Sequence, residues 1–297
     1  MISKPKAWIE AMRLHTLPVS VAGVISGAGC AAYYKSFHWQ PFTICLVFAI
    51  GAQIVSNFAN EYFDYKNGLD RKGREGFRRG VTEGDITPRA MRNATFALLL
   101  GVSILGCTLI YWGGWWLIAV GIAVAIFAMG YSAGPYPLSH HGLGEIAVVI
   151  FFGLVPVIMT TYVQTLSWAM LPLTFWIALA IGLMGANVLI VNNYRDIEDD
   201  RAAGKSTLAV KFGAKAMERL YFINGILALI FIEIGIFGRI NLIGQLGGLI
   251  YINIHYLLTQ QLRNSSGAEL NPLLGKTAMT MFGYSIWLVC ALTLGRI

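Results

Sequence analysis

Charge is scarce in this sequence of 297 residues. Only 12% of the residues are Asp, Glu, Lys or Arg, whereas 56% are hydrophobic and 33 are glycine. A soluble domain usually carries about 25% charged residues, so the composition excludes an ordinary water-soluble protein. The four cysteines stand singly in apolar segments, without the spacing of a zinc site or a disulfide framework. No linker or low-complexity stretch divides the chain, and we expect a single domain over residues 1–297.

Long apolar runs take the place of charge. A helix that crosses a bilayer needs about 20 mostly apolar residues. Nine segments qualify, near residues 17–34, 41–59, 94–112, 114–131, 144–164, 169–192, 219–238, 240–260 and 277–295. Their continuous, glycine-containing character favours packed helices over the alternating pattern of a β-barrel. The predicted fold class is all-α, an integral membrane bundle of nine transmembrane helices that forms one membrane-embedded domain.

Lysine and arginine are distributed unequally between alternate connecting segments. With the N-terminus in the cytoplasm, 19 of the 22 basic residues lie on the cytoplasmic side, and only Lys35, Arg239 and Arg296 lie outside. The positive-inside rule therefore predicts an N-in, C-out topology. The same bias accounts for the net charge of +7, so the charge implies neither nucleic acid nor a protein partner.

All six aspartates fall in two short blocks, residues 64–85 and 196–200, and each block ends a long apolar run. The pattern Asn-x-Tyr-x-Asp begins at Asn60 and recurs 132 residues later at Asn192, and each copy is soon followed by Asp-Arg. This recurrence indicates a weak internal repeat whose two halves run parallel in the membrane. Such a repeat would bring the ends of the second and sixth helices face to face at the cytoplasmic surface.

The spacing within each block suits metal binding. Residues four apart share a helix face, so each block presents a row of carboxylate and amide oxygens to one side. Magnesium commonly takes one or two carboxylates together with waters and phosphate oxygens. Gly68 lets the first helix end and allows the chain to turn back. We predict metal ligands at Asn60, Asp64, Asp70, Asn192, Asp196 and Asp200, with two magnesium ions on opposite sides of one diphosphate.

A simpler interpretation is that these acids balance basic neighbours in solvated loops. We favour it for Glu75, Glu83 and Asp85. It does not account for Asp64, Asp196 and Asp200, because these residues extend apolar helices directly and share a repeated spacing. Asp199 lies off the shared helical face and is left out of the ligand set.

The paired motifs resemble those of the UbiA superfamily of membrane-embedded aromatic prenyltransferases. Residues 60–70 match the first aspartate-rich motif of the family and residues 192–200 match the second, and the resemblance covers essentially the whole chain. Residues 13–18, 134–145 and 192–210 are most similar to the branch that prenylates 1,4-dihydroxy-2-naphthoate. Three positions depart from the family pattern, one of them Thr82, where related naphthoate enzymes often have Gln. Glu61 stands where Asp is common, and His140–His141 could supply a missing positive charge, although we favour a solvated histidine pair.

The resemblance implies an enzyme that transfers an all-trans polyprenyl group from polyprenyl diphosphate to 1,4-dihydroxy-2-naphthoate. The acceptor would lose its carboxyl group, giving demethylmenaquinone in menaquinone biosynthesis. The enzyme would lie in the bacterial cytoplasmic membrane with its site on the cytoplasmic side and would use two Mg²⁺ ions. The resemblance assigns catalytic roles to Asp64, Asp196 and Asp200, as metal ligands. It assigns substrate binding to Lys72, Arg79, Tyr131, Arg195 and Lys205.

Three alternatives stay open at this point. A secondary transporter would also show a duplicated bundle, although transporter sites usually lie near the bilayer midplane. A non-catalytic quinone-binding scaffold would make the aspartates dispensable. Within the family, another aromatic or lipid acceptor is also compatible with the sequence.

Overall fold

The computed structural model describes residues 3–73 and 76–295, and no β-strand occurs among them. Short 3-10 turns and one π-helical stretch, Val149–Leu154, connect or interrupt the α-helices. The α-helices of the described chain are α1 Lys4–Met12, α2 Leu17–Tyr33, α3 Trp39–Lys66, α4 Gly80–Glu83, α5 Pro88–Cys107, α6 Ile110–Gly113, α7 Leu117–Gly130, α8 Gly144–Val148, α9 Val155–Thr165, α10 Leu171–Arg195, α11 Ile197–Ala202, α12 Leu208–Phe212, α13 Ala214–Ile236, α14 Leu242–Asn264 and α15 Leu270–Leu294.

Helix boundaries follow from local chemistry. Proline stands in the first turn of α1, α2, α5, α9 and α10, where its fixed φ and missing N–H cost nothing. The side-chain oxygen of Thr87 accepts a hydrogen bond from the backbone N–H of Ala90 and caps α5. Gly68, with φ of +68°, follows the end of α3 as the sequence predicts. The N–H of Leu69 then bonds to the carbonyl of Asp64, and the chain turns back.

Seven helical stretches within the described residues are long and apolar enough to cross a membrane. They are Lys4–Tyr33, Trp39–Lys66, Pro88–Gly113, Gly144–Thr165, Trp168–Arg195, Ala214–Ile236 and Gly267–Leu294. Leu117–Gly130 is apolar but shorter, and Leu242–Asn264 is not among the seven. Each of the nine predicted segments coincides with a helix, so the all-α bundle is confirmed. Three features stay predictions: the number of crossings, the N-in, C-out orientation and the parallel repeat. The orientation also relied on Arg296, which lies outside the described residues.

Helix α10 runs through the centre of the bundle, where it packs against α2, α13, α15 and the π-helical stretch. Close approach of backbones makes this packing possible. A Cβ added to Gly153 would lie 2.4 Å from the Cα of Gly182, so the two backbones touch there. Similarly, a Cβ on Gly27 of α2 would lie 2.6 Å from the carbonyl oxygen of Val157 on α9. The first contact fixes α10 against the π-helical stretch and the second fixes α2 against α9. Helix α10 carries the second aspartate block.

Candidate active site

Both aspartate blocks line one cavity of about 160 Å³ between the ends of α3 and α10. The cavity therefore brings together side chains that are more than 130 residues apart in sequence, as the repeated motif predicts. Eight of the eleven predicted site residues line it: Asn60, Asp64, Arg79, Tyr131, Asn192, Asp196, Asp200 and Lys205. Asp70, Lys72 and Arg195 are not among the lining residues.

The first block presents a buried carboxylate. The side chain of Asp64 is 1% exposed, and the amide nitrogen of Asn60, one turn earlier on α3, donates to its Oδ2 at 3.2 Å. The same amide nitrogen donates to Ser132 Oγ at 2.9 Å. This i, i+4 pair is the local geometry that the sequence predicts.

Lys205 joins the two blocks. Its Nζ lies 3.1 Å from Asp64 Oδ2 and 3.6 Å from Asp200 Oδ1. Burial by itself would lower the pKa of Lys205, but the carboxylates of Asp64 and Asp200 outweigh burial and raise this pKa above its usual value. The lysine is therefore charged in the neutral pH range, and it offsets the repulsion between two carboxylates that face one cavity.

Arg195 fixes side chains of the second aspartate block. Its Nε and one terminal nitrogen donate to the two oxygens of Asp196 at 2.7 and 2.8 Å, a bidentate pair of the strong kind. The guanidinium also donates to Asn192 Oδ1 and Asn271 Oδ1, both at 2.8 Å, and lies over the ring of Phe77. Arg195 thus orients two cavity-lining residues while it lies outside the cavity lining itself.

The segment after α3 brings Asp70 back beside Arg79. Asp70 Oδ2 lies 3.4 Å from Arg79 Nε, and the Asp70 side chain is 2% exposed. Arg79 lines the cavity, so Asp70 contacts the site through Arg79. Lys72, by contrast, is exposed and lies outside the cavity lining.

Two polar residues near the site are not solvated as the sequence analysis expected. Asp85 does balance a basic neighbour, since its Oδ2 accepts from Arg78 Nε at 3.0 Å, but its side chain is fully buried. His140 is not solvated either, because its side chain is 14% exposed and its Nε2 lies 3.6 Å from Asp64 Oδ1. Glu75, assigned to the same class of loop residue, lies outside the described residues.

The donor set fits a hard divalent cation. It consists of carboxylate and amide oxygens, and Asp64 Oδ1 is buried without a hydrogen-bond partner. In the part of the chain that the structure describes, no group of three or more His, Cys, Asp or Glu side chains could hold a metal ion. Magnesium commonly takes only one or two carboxylates, with phosphate and water oxygens completing its shell, so the oxygen donors at this cavity are compatible with it.

Several cavity-lining residues were missed by the sequence analysis. Gln53, Ser56 and Asn57 line the cavity together with Asn60 and Asp64, and together they form a polar stripe at helical spacing within the apolar run of α3. That periodicity was a readable signal. Arg13 lines the cavity as well; residues 13–18 were noted for their resemblance to the family, but Arg13 was not predicted as a site residue.

A second cavity, of about 240 Å³, adjoins the first. Its lining is predominantly apolar, and it shares Gln53, Ser56, Phe127 and Phe152 with the polar cavity. The two cavities therefore meet at these four side chains. An amphiphilic ligand with a charged head and a hydrocarbon tail matches this pairing of a polar and an apolar chamber.

Comparisons with known proteins agree with this geometry. A model of the UbiA prenyltransferase family matches residues 20–290. The chain is 32% identical over 299 aligned positions to a 1,4-dihydroxy-2-naphthoate octaprenyltransferase of Mycobacterium tuberculosis, covering 98% of each chain. It is 37% identical over 222 residues to the protein of the same name from Haemophilus influenzae, covering 71% of this chain and 70% of that one.

Solved structures share the fold. A UbiA homolog from Aeropyrum pernix superposes with a TM-score of 0.71 at 16% identity, covering 91% of this chain and 96% of that one. A UbiA homolog from Archaeoglobus fulgidus, solved with DMAPP and Mg²⁺, superposes with a TM-score of 0.67 at 13% identity, covering 95% and 98% of the two chains. At these identities the likeness shows the fold alone.

Proposed function

Because the chain belongs to the UbiA prenyltransferase family, we propose that it transfers an all-trans polyprenyl group from polyprenyl diphosphate to 1,4-dihydroxy-2-naphthoate. The reaction forms a carbon–carbon bond between the ring and the allylic carbon, breaks the allylic carbon–oxygen bond and the ring–carboxyl bond, and releases diphosphate and carbon dioxide. The ring stays at the hydroquinone level, so the product is the reduced form of demethylmenaquinone, demethylmenaquinol. The relatives that carry the name of this naphthoate enzyme support the choice of acceptor. The observation that carries the proposal is that both aspartate motifs line one polar cavity, which opens into an apolar one.

The hard step is ionisation of the allylic carbon–oxygen bond, which places negative charge on the leaving diphosphate. Bound Mg²⁺, as two ions, would be held by the cavity-lining Asn60, Asp64, Asn192, Asp196 and Asp200 and would supply Lewis-acid stabilisation of that leaving group. Asp70, also predicted as a ligand, lies outside the lining and would act through Arg79. Preorganised charge directed at a developing anion is usually the largest contribution to catalysis.

Basic side chains at the cavity would also stabilise the negative charge of the leaving diphosphate. Lys205 and Arg79 line the polar cavity beside the aspartates, and both would turn from their carboxylate partners towards the diphosphate. Arg195 acts from outside the lining by fixing Asp196 and Asn192. Lys72 is the outermost of the predicted diphosphate contacts, and Tyr131 bounds the cavity near Gly144.

The apolar chamber accounts for the rest of the substrate. Phe127 and Phe152 line both cavities, so they lie at the junction where an allylic carbon between head and tail would sit. Aromatic faces there would exclude water and stabilise positive charge on that carbon until the ring attacks. The polyprenyl chain would extend into the apolar chamber and from there between helices into lipid.

We further propose one membrane-embedded domain with nine crossings, an N-in, C-out topology and two parallel repeats that each contribute one motif. The cavity then lies at the cytoplasmic face of a bacterial inner membrane. The basic residues concentrated around the motifs support this orientation.

The test uses purified protein in detergent or lipid nanodiscs, with Mg²⁺, a polyprenyl diphosphate and a small panel of aromatic acceptors. We expect prenylated product with 1,4-dihydroxy-2-naphthoate and a much slower reaction, or none, with 4-hydroxybenzoate. Preference for another acceptor would refute the assignment of the acceptor. Absence of product from any acceptor, when a known prenyltransferase works in the same assay, would refute the enzyme assignment, and uptake into vesicles would then favour a transporter.

A further inference from the structure

We infer that Arg13 binds the carboxylate of the aromatic acceptor and so makes the site selective for a carboxylated ring. This inference rests on the proposed function and deepens it, because the metal and diphosphate residues alone do not say how the acceptor is chosen. Arg13 lines the polar cavity, yet it belongs to neither aspartate motif.

The backbone at Arg13 is strained. Its φ and ψ of 53° and 54° lie in the left-handed region at the junction between α1 and α2. Non-glycine residues seldom adopt this conformation; here it ends α1 as its C-cap. Three non-glycine residues have positive φ in the described chain: Arg13, Lys35 and Leu166. Of these, Arg13 is the one that lines the polar cavity.

Helix α3 holds this junction in place. Asn57 Nδ2 donates to the carbonyl of Met12 at 2.9 Å, and Gln53 Nε2 donates to the carbonyl of Thr16 at 2.9 Å. Thr16 Oγ1 donates in turn to the carbonyl of Arg13 at 2.9 Å. The strained turn is therefore fastened on both sides of Arg13 by the same polar stripe that continues into the first aspartate motif.

The Arg13 side chain is directed by Asn60. One terminal nitrogen of its guanidinium donates to Asn60 Oδ1 at 2.6 Å, while Asn60 Nδ2 donates to Asp64 Oδ2. A single amide thus spans from the guanidinium to the first metal-binding carboxylate. The cationic side chain stands beside the aspartate cluster, one amide away from the place where the diphosphate would ionise.

The other cavity cations have a different relation to the motifs. Lys205 contacts Asp64 and Asp200, and Arg79 contacts Asp70. Those two cations are placed by carboxylates that bind the metal–diphosphate end. Arg13 donates to the amide of Asn60, and the turn that carries it is held by Gln53, a residue that lines both cavities.

An aromatic carboxylate that enters a partly apolar cavity needs a cation. A guanidinium suits this role because its planar fork matches the two oxygens of a carboxylate. Binding at Arg13 would hold the naphthoate ring beside the aspartate cluster, since the amide of Asn60 spans from the guanidinium to Asp64. The acceptor is thus recognised by the group that the reaction later removes as carbon dioxide.

The experiment compares 1,4-dihydroxy-2-naphthoate with 1,4-dihydroxynaphthalene, which lacks the carboxylate, in the wild type and in Arg13→Gln, Arg13→Gly and Arg13→Lys. We expect the ratio of kcat/KM for the two acceptors to fall about 10- to 100-fold in Arg13→Gln, the range of a hydrogen bond to a charged group. The KM for polyprenyl diphosphate should stay unchanged. Arg13→Lys should keep part of the preference for the carboxylated acceptor. Arg13→Gly should lose the preference for the carboxylated acceptor but keep the wild-type thermal stability, because glycine adopts this φ without strain.

Arg89→Gln, at an exposed arginine on α5, is the matched control and should leave the ratio unchanged. An equal fall of kcat/KM on both acceptors, or a raised KM for polyprenyl diphosphate alone, would overturn the inference and assign Arg13 to the fold or to the diphosphate. If the wild type does not use the diol, inhibition by 1-hydroxy-2-naphthoate and by 1-naphthol supplies the same comparison. A wild type that prenylates no aromatic acceptor contradicts the proposed function itself, which is a different result from an unchanged ratio.

Discussion

Replacing Lys205 with methionine would remove the ammonium between Asp64 and Asp200 while keeping most of the apolar side chain. In the present structure that ammonium lies 3.1 Å and 3.6 Å from the two carboxylates, and Lys205 and Asp64 are 11% and 1% exposed. Removing one partner of a buried ion pair typically costs about 3–5 kcal/mol. We expect the lower end, about 3 kcal/mol, because Lys205 retains some exposure to solvent. At roughly 2–4 °C per kcal/mol for a large domain, the Tm should fall by about 6–12 °C.

Magnesium should reverse part of this loss. Without the lysine, the two carboxylates repel each other and are open to a cation. A ligand present at 100 times its Kd adds about 2.7 kcal/mol to the stability, nearly the whole expected deficit. In the wild type Lys205 competes for the same carboxylates, so the same Mg²⁺ concentration should raise the Tm less. Activity should not recover, since we expect the missing cation at the diphosphate to lower kcat about 100- to 1000-fold.

Thermal unfolding followed by intrinsic fluorescence in detergent, with and without Mg²⁺, measures the change in Tm. Diphosphate release measures the change in kcat. Lys215→Met, at an exposed lysine on α13, is the matched control and should change neither. A Lys205→Met variant with the wild-type Tm would contradict the stabilising role of Lys205 between the two carboxylates. The same holds if Mg²⁺ raises the Tm of the variant no more than that of the wild type.

Three other substitutions test separate parts of the account. Asp196→Asn should lower the rate of diphosphate release at least 100-fold, because an amide is a poor replacement for a metal-binding carboxylate; a loss smaller than tenfold would contradict the ligand role. Gly153→Ala should lower the Tm, since the added Cβ would lie 2.4 Å from the Cα of Gly182 and overpacking costs about 1–3 kcal/mol. Gly101→Ala is the control and should leave the Tm unchanged, because no atom lies within 4 Å of the new Cβ. Equal changes of Tm in the two variants would contradict the close packing of Gly153 against Gly182. Lys72→Ala should change kcat/KM less than about threefold, given the exposure of this side chain and a typical surface substitution of about 0.5 kcal/mol; a larger loss would show that the segment containing Lys72 closes over the substrate.

The helices and the aspartate cluster could be predicted because their signals are local. Apolar runs of helical length determine α3 and α10, and the four-residue spacing of Asn60 and Asp64 decides which side chains share a face. The recurrence at Asn192 further indicated that a second, equivalent helix end should meet the first. Each of these inferences uses neighbours along one helix, and the structure places the residues in one cavity.

The features that the sequence did not predict depend on contacts between distant segments. Arg13 adopts its left-handed backbone while Gln53 and Asn57, some 40 residues away, hold both sides of the turn. His140 lies beside Asp64 because the loop after α7 folds back over the end of α3. A charged residue in a loop is solvated by default, and only the packing of other helices over that loop shows otherwise.

Release of carbon dioxide from carboxyl-labelled 1,4-dihydroxy-2-naphthoate tests the central claim most directly. With polyprenyl diphosphate and Mg²⁺, the wild-type protein should release labelled carbon dioxide and diphosphate in equal amounts. Asp64→Asn, which removes the buried carboxylate that meets Lys205, should release neither at a rate above background. Prenylation without loss of the label, or an Asp64→Asn variant as active as the wild type, would contradict a metal-assisted, decarboxylating prenyl transfer at this cavity.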